Sequence, residues 1–165
     1  MLGLKRKTIK LVPHQKSWIT FFQKEKEKLL KVIPDIYVEH VGSTAIPNIV
    51  AKPIIDIVVG IDKIKNYHLY ITKLKKLGFE YHNNRGSKFN KFFTKGPEDC
   101  RTTYVHLVKY KGNIWNKYIN FRDVLNRNIK LAKKYEKLKL DLATKFTNRD
   151  KYTKAKAVFI GQVNK

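Results

Sequence analysis

Asp56 stands in the middle of an otherwise apolar run, Pro53-Ile54-Ile55-Asp56-Ile57-Val58-Val59-Gly60-Ile61. An unpaired carboxylate in such a strand is heavily penalised, so it calls for a cation or hydrogen-bond donors. Twelve residues separate it from Ser43, which lies in the turn Gly42-Ser43-Thr44. A Gly-Ser turn leaves backbone N–H groups and a small hydroxyl free for phosphate oxygens, while a facing aspartate can hold a divalent ion, magnesium or manganese, that bridges those phosphates. That division of labour suits nucleotidyl transfer from a nucleoside triphosphate, where a metal neutralises charge on the transferred phosphoryl group and the departing pyrophosphate. The competing structural reading has Ser43 and Thr44 capping a helix and Asp56 pairing with Lys52 or Arg101.

The remaining candidates each carry two readings. Lys52 and Arg101 flank the expected pocket and can bind nucleotide phosphates, arginine bidentately and lysine as a point charge, or they can pair with Asp56 or Glu39. His106 can share a manganese or zinc ion with Asp56, or shuttle a proton beside bound phosphate. Its alternation with Tyr104 and Val108 equally fits a hydrogen-bonded structural residue. His40, just before the turn, either touches the ligand or anchors the turn. Arg122 either pairs with Asp123 to lock helix to sheet or projects toward the pocket mouth. Tyr135 and Tyr152 are expected to pack helices rather than stack on a base.

These groups need a sheet to position them. Trp18, Phe21, Phe22 and Leu29 recur at helical spacing, predicting an amphipathic helix from Gln15 to Val32 that Pro34 ends. Asp35 to Val41 reads as a strand leading into the turn, and Pro53 to Ile61 as a buried central strand. Pairing these two would bring Ser43 and Asp56 to one rim of the sheet. Ile64, Tyr67, Ile71 and Leu74 predict a second helix, with Gly78 as its stop. Phe79 to His82, Lys88 to Thr94 and Arg101 to Tyr110 are β-rich, separated by turn signals at Asn83-Asn84-Arg85-Gly86 and Gly96-Pro97-Glu98-Asp99, and are expected to extend the sheet as antiparallel strands. Beyond Gly112 the period returns to helical through Leu142, giving two helices, and Tyr152 to Val163 reads as one more. The expected fold is α/β (α+β), a mixed sheet of about five strands with an N-terminal helix and C-terminal helices packed on it.

A length of 165 residues with 42% apolar content is enough for one domain, residues 1–165, with a core that needs no staples. The lone Cys100 excludes an internal disulfide, and no apolar run approaches the roughly 18 residues of a membrane span. The basic start, Met1 to Lys7, lacks the apolar stretch of a secretory signal. A cytoplasmic protein with no membrane partner is therefore expected. Thirty-six basic against 13 acidic residues give a net charge of +23, a field that attracts phosphates, nucleotides or RNA, although biased composition accounts for the same excess.

His40-Val41-Gly42-Ser43-Thr44-Ala45-Ile46-Pro47 followed by Ala51-Lys52-Pro53-Ile54-Ile55-Asp56-Ile57 strongly resembles the signature of the GrpB family. Later blocks match in order: His106-Leu107-Val108 after Arg101, Phe121-Arg122-Asp123, Tyr135 to Lys139, and Tyr152-Thr153 with Lys156. The resemblance covers about Val12 to Ile160. It implies a minimal nucleotidyltransferase-like fold of the polymerase beta-like superfamily, whose pattern is a Gly-Ser turn followed by Asp-x-Asp or Asp-x-Glu and a third carboxylate on a later strand. This sequence departs from the pattern: Val58 occupies the second position, and the stretch from Arg101 to Tyr110 offers His106 but no carboxylate. Three functions follow as expectations: metal-dependent transfer of a nucleoside monophosphate from an NTP to an unidentified acceptor, a catalytically degenerate nucleotide- or RNA-binding module, or a domain accessory to another enzyme. The residues leave the oligomeric state open.

Overall fold

Alternation of side chains along each strand sorts this chain into two layers of helix around one sheet. A computed structural model describes residues 2–164. Among them, strands β1 (Tyr37–Val41), β2 (Ile55–Ile61), β3 (Phe79–Ser87), β4 (Asn90–Lys95) and β5 (Thr103–Lys109) form a mixed sheet in the order β1-β2-β5-β4-β3. The helices are α1 (Ser17–Val32), α2 (His68–Lys76), α3 (Asn113–Arg127), α4 (Ile129–Lys145) and α5 (Arg149–Val163).

One face of the sheet presents Ile55, Ile57, Val59 and Ile61 of β2 with Val105 and Leu107 of β5, buried against Trp18, Phe22 and Leu29 of α1 and Leu74 of α2. Each such fully buried aliphatic or aromatic side chain stabilises the fold by about 1.5–3 kcal/mol, so this face is fixed firmly. The odd–even period then sends Asp56, Val58, Tyr104, His106 and Val108 to the opposite face. There α3 covers Val58 and Val108 with Trp115, while α3, α4 and α5 pack together through Phe121, Tyr135 and Phe159. The face that carries Asp56 is thus roofed by the C-terminal helices.

The expected pairing of the first two strands is present: β1 runs antiparallel to β2, with Val41 opposite Asp56. Three expectations are corrected. First, β5 lies parallel to β2, with Asp56 beside Tyr104 and Val58 beside His106, and antiparallel only to β4. The chain reaches β5 by a crossover through α2 and the β3–β4 hairpin, which inserts it at the centre of the sheet. Second, Asn83 to Gly86 is no turn but part of β3, where a bulge between His82 and Gly86 absorbs residues that would otherwise force a reversal. The hairpin closes instead at Lys88-Phe89, between the paired Ser87 and Asn90. Third, Ile64–Asn66 is a separate short 3-10 turn, and α2 begins only at His68. Gly78 stops α2 as expected, with a positive φ of 83°.

Candidate functional site

The antiparallel register of β1 and β2 delivers the Gly42 turn directly onto Asp56. Gly42 has φ 70°, and a Cβ built there would lie 2.6 Å from Asp56 Oδ2 and 3.1 Å from its Cβ. Only glycine gives the carboxylate this approach to the turn backbone. Gly42→Ala is expected to combine left-handed strain of about 1–2 kcal/mol with expulsion of the carboxylate. The unfolding midpoint should fall by roughly 2–8 °C in thermal circular dichroism; an unchanged midpoint would show that the turn relaxes without it.

The turn continues as a short 3-10 segment, Ser43–Ala45, and its two polar side chains part company. Thr44 is buried, with its hydroxyl 2.9 Å from His40 Nε2 and donating to the Ile54 carbonyl at 3.5 Å. His40 lies on the α1 side of the sheet, stacked on Phe22 with ring centroids 4.8 Å apart. Burial, and secondarily the Arg122 charge, pulls its pKa down to about 4. His40 is therefore a neutral anchor for the turn. Ser43 faces the other way, toward Tyr135 of α4, whose pKa burial pushes up to about 12 although Ser43 pulls it down.

Beside Ser43 and Asp56 lies a cavity of about 280 Å³ roofed by α4 and α5. Five cations line it: Lys52, Arg85, Lys139, Arg149 and Lys156. Against them stand Asp56 and, on the first turn of α5, the exposed Asp150. None of the ion pairs among the described residues uses Asp56 or any of the five cations. Lys139 donates to the Val50 carbonyl. Aromatic faces give partial compensation: Lys52 and Lys156 Nζ sit 5.7 and 4.6 Å from the Tyr152 ring, Lys139 Nζ 4.8 Å from Tyr135, Arg149 5.2 Å from Tyr104 and Arg85 4.3 Å from Phe92. The Tyr152 hydroxyl is buried without a hydrogen-bond partner among the described residues.

Crowding and burial show in the titration of these groups. Burial first, then repulsion from Lys156 and Arg149, depresses the Lys52 pKa, with Asp56 pulling the other way. Burial lowers Lys156 to about 8 despite the attraction of Asp56, and Lys139 to about 7 with a further contribution from Lys156. Asp56 is shifted upward because burial outweighs Lys52, Lys156 and Arg149. It is half-buried and lines both this cavity and a second one beside it.

Of the residues singled out in the sequence, Ser43, Thr44, Lys52, Asp56 and His106 line this cavity. Arg101 does not: its guanidinium is committed to the Gly96 carbonyl at 2.6 Å and to Glu80 at 2.9 Å, on the far edge of the sheet. Arg122 is likewise committed, to Asp123, Glu39 and the His40 carbonyl at 2.8, 2.6 and 3.0 Å, and ties α3 to β1. His106 Nδ1 lies 3.0 Å from the Tyr118 hydroxyl, and burial followed by the Arg85 charge takes its pKa down to about 4. An imidazole that stays neutral throughout the physiological range is poorly tuned for a proton shuttle near pH 7. Arg85, Lys139, Arg149, Tyr152 and Lys156 are cavity residues that the motif reading did not assign to the site. Two of them carried a signal: Lys139 and Lys156 each follow a buried tyrosine, Tyr135 and Tyr152, by four residues, which puts a cation on the apolar stripe of a helix.

The donor set limits what metal it can hold. Among the described residues no three His, Cys, Asp or Glu side chains converge as ligands. The second carboxylate of the pattern is replaced by Val58, fully buried between Val41, Val108 and Trp115. A two-ion centre does not fit. A magnesium ion carried on a triphosphate would find one hard oxygen ligand in Asp56 and would supply charge neutralisation at the phosphate oxygens.

A mixed sheet with a Gly-Ser turn set against an aspartate of the next strand defines the nucleotidyltransferase-like fold. A crystal structure of the Cid1 poly(U) polymerase with magnesium and 3′-dATP bound shares it, at TM-score 0.55 and 15% identity over 81% of this chain and 42% of that one. The chain belongs to the GrpB family, whose description, GrpB protein, matches residues 8–165. The glutamate-rich protein GrpB of Alkalihalophilus pseudofirmus is 38% identical over 99% of this chain and 98% of its own length. The crystal structure of the conserved protein GrpB from Enterococcus faecalis aligns at TM-score 0.82 and 31% identity, covering 94% of each chain. Among the described residues no helix is long and apolar enough to cross a membrane.

Proposed function

We propose that the chain binds a nucleoside triphosphate in the basic cavity and transfers its nucleoside monophosphate to an acceptor. The observation that carries this reading is the gathering, around Ser43 and one aspartate, of five cations with no ion-pair partner among the described residues. Holding like charges together in a half-buried cavity is unfavourable unless an anion of several charges repays it. A triphosphate does so, with its oxygens on the cations and the Ser43 turn. In the transfer, the acceptor's oxygen or nitrogen bonds to the α-phosphorus as the bond to the β-phosphate oxygen breaks. Pyrophosphate then leaves against Lys52, Arg85 and Arg149, which stabilise its developing charge.

The test is a calorimetric titration with ATP. Saturable one-to-one binding that weakens steeply with salt is expected, and no heat at millimolar ATP would refute the reading. A phosphate next to Lys139 and Lys156 raises their pKa values, so binding takes up protons. Affinity is then greatest below the free values of about 7 and 8 and falls as pH rises through them. Between pH 7.5 and 9, beyond the last phosphate ionisation, the loss should approach roughly tenfold per pH unit for each lysine that titrates. A flat profile would show that these lysines do not meet the ligand.

Sealing of Val58 under Trp115 favours a second reading, a nucleotide- or RNA-binding module without transfer. Pyrophosphate release from ATP in the presence of a small-molecule cell extract separates the two: the module binds ATP and releases none.

A further inference from the structure

A second cavity, of about 670 Å³, continues along α5 from the first. The N-terminal half of α5 lines the basic cavity through Arg149, Tyr152 and Thr153; the C-terminal half lines this one through Ala157, Ile160 and Gly161. Ser43, Asp56, His106 and Lys156 belong to both and form the wall between them. Opposite α5 stand Ile114, Tyr118 and Phe121 of α3, and Asn120 pins the two helices together at one end by donating to the Val163 carbonyl at 3.3 Å and to Asn164 Oδ1 at 3.1 Å.

The two cavities differ in charge. Beyond the shared wall the first contains four cations and the second only Lys117, with no carboxylate of its own and an apolar, aromatic lining. Its volume is that of a small-molecule site. A polynucleotide acceptor brings a phosphate with every residue and would find only Lys117 and the shared Lys156 here, so the lining selects against it. We infer that this second cavity receives the acceptor, a small molecule with an aromatic or aliphatic body and a hydroxyl or amine head directed at Asp56. The inference rests on the triphosphate reading of the first cavity. Given that reading, the head group and the α-phosphorus meet across Asp56. The new O–P or N–P bond forms as pyrophosphate leaves on the basic side, and the head group's proton passes to the Asp56 carboxylate.

Gly161 supplies the test, because a Cβ built there meets nothing within 4 Å. Gly161→Trp places an indole in the open space of the second cavity, and Gly161→Leu is a smaller version that also removes a helix-weakening glycine. The probes are 3-phenylpropan-1-ol and 3-phenylpropylamine, followed by amide chemical-shift changes in the full chain. Saturable shifts around Ile114, Phe121 and Ile160 are expected in the wild type. They should weaken at least tenfold in Gly161→Trp and to a lesser degree in Gly161→Leu, while ATP titrations remain the same in all three proteins. Shifts absent from this cavity, or equal in wild type and both variants, with ATP still binding, would overturn the acceptor site and leave the triphosphate reading standing. Failure of the wild type to bind ATP would sink the triphosphate reading and the acceptor role with it, whatever the probes do.

Discussion

Lys156→Met weakens ATP binding by roughly ten- to a hundredfold, the size of a lost charge-assisted hydrogen bond, and at the same time raises the unfolding temperature of the free protein. The two effects have one cause. Lys156 is held in a cavity where burial brings its pKa from 10.5 to about 8, so its charge is a cost to the folded state that only a ligand recovers. Methionine keeps the aliphatic stem against Tyr152 and removes the charge. The sign of the pH dependence follows. A lysine whose pKa is depressed on folding destabilises the fold fully below about 8, and the penalty is relieved as pH rises from there toward 10.5. The variant's advantage in thermal unfolding should therefore be largest near neutral pH and shrink above pH 8. Lys156 also holds down the Lys52 pKa. Removing Lys156 relieves that repulsion and lets Lys52 partly substitute, so the Lys52→Met, Lys156→Met double variant should lose more affinity than the two single losses combined. Calorimetry and thermal melts of the three variants check this. A Lys156→Met protein that is less stable and binds ATP normally would mean that the lysine serves the fold instead of a ligand.

Residues whose environment is local are legible in the sequence. Asp56 is conspicuous because an aspartate interrupts an aliphatic strand, and the Gly42 turn because glycine followed by serine ends the preceding strand. Their meeting needs only an antiparallel pairing of neighbours, and Val41 does stand opposite Asp56. Once that register is known, His40 must point to the other face, so its ligand reading and its structural reading separate by parity alone. The features that escape the sequence are non-local. The parallel placement of β5 depends on a crossover, and nothing in Arg101–Tyr110 reveals strand direction. Arg85 sits in a string of turn-forming residues, and only the bulge in β3 returns it to the cavity. Arg101 is near the site in sequence but is claimed by Glu80, a partner from another strand. Lys139 and Lys156 fall within the family-like blocks and on core positions of their helices, yet in a chain with 36 basic residues nothing local assigns either lysine to a ligand.

Val58→Asp, which would restore the Asp-x-Asp spacing of the superfamily, is expected to damage the protein without creating a metal centre. Position 58 is on the same face as Asp56, but it is fully buried beneath Trp115 and lines neither cavity. A carboxylate there would also stand directly across from Glu39 on β1, adding like-charge repulsion to desolvation. An unpaired buried charge costs about 3–5 kcal/mol, which for a chain of this size lowers the midpoint by roughly 6–20 °C. Thermal melts with and without 10 mM manganese decide the matter. If α3 could yield and admit an ion, manganese would restore the midpoint and tighten ATP binding; the expected result is a low midpoint that manganese leaves unchanged. Trp115 also explains why the substitution cannot be repaired nearby, because a Cβ on Gly60, the next position on this face of β2, would already lie 2.8 Å from the indole. The strand has been closed against a second ion from its middle onward, so under the proposed triphosphate reading charge neutralisation falls to Lys139, Arg149 and Lys156 of the helical roof, to Lys52 and Arg85 beside them, and to whatever ion the nucleotide itself brings.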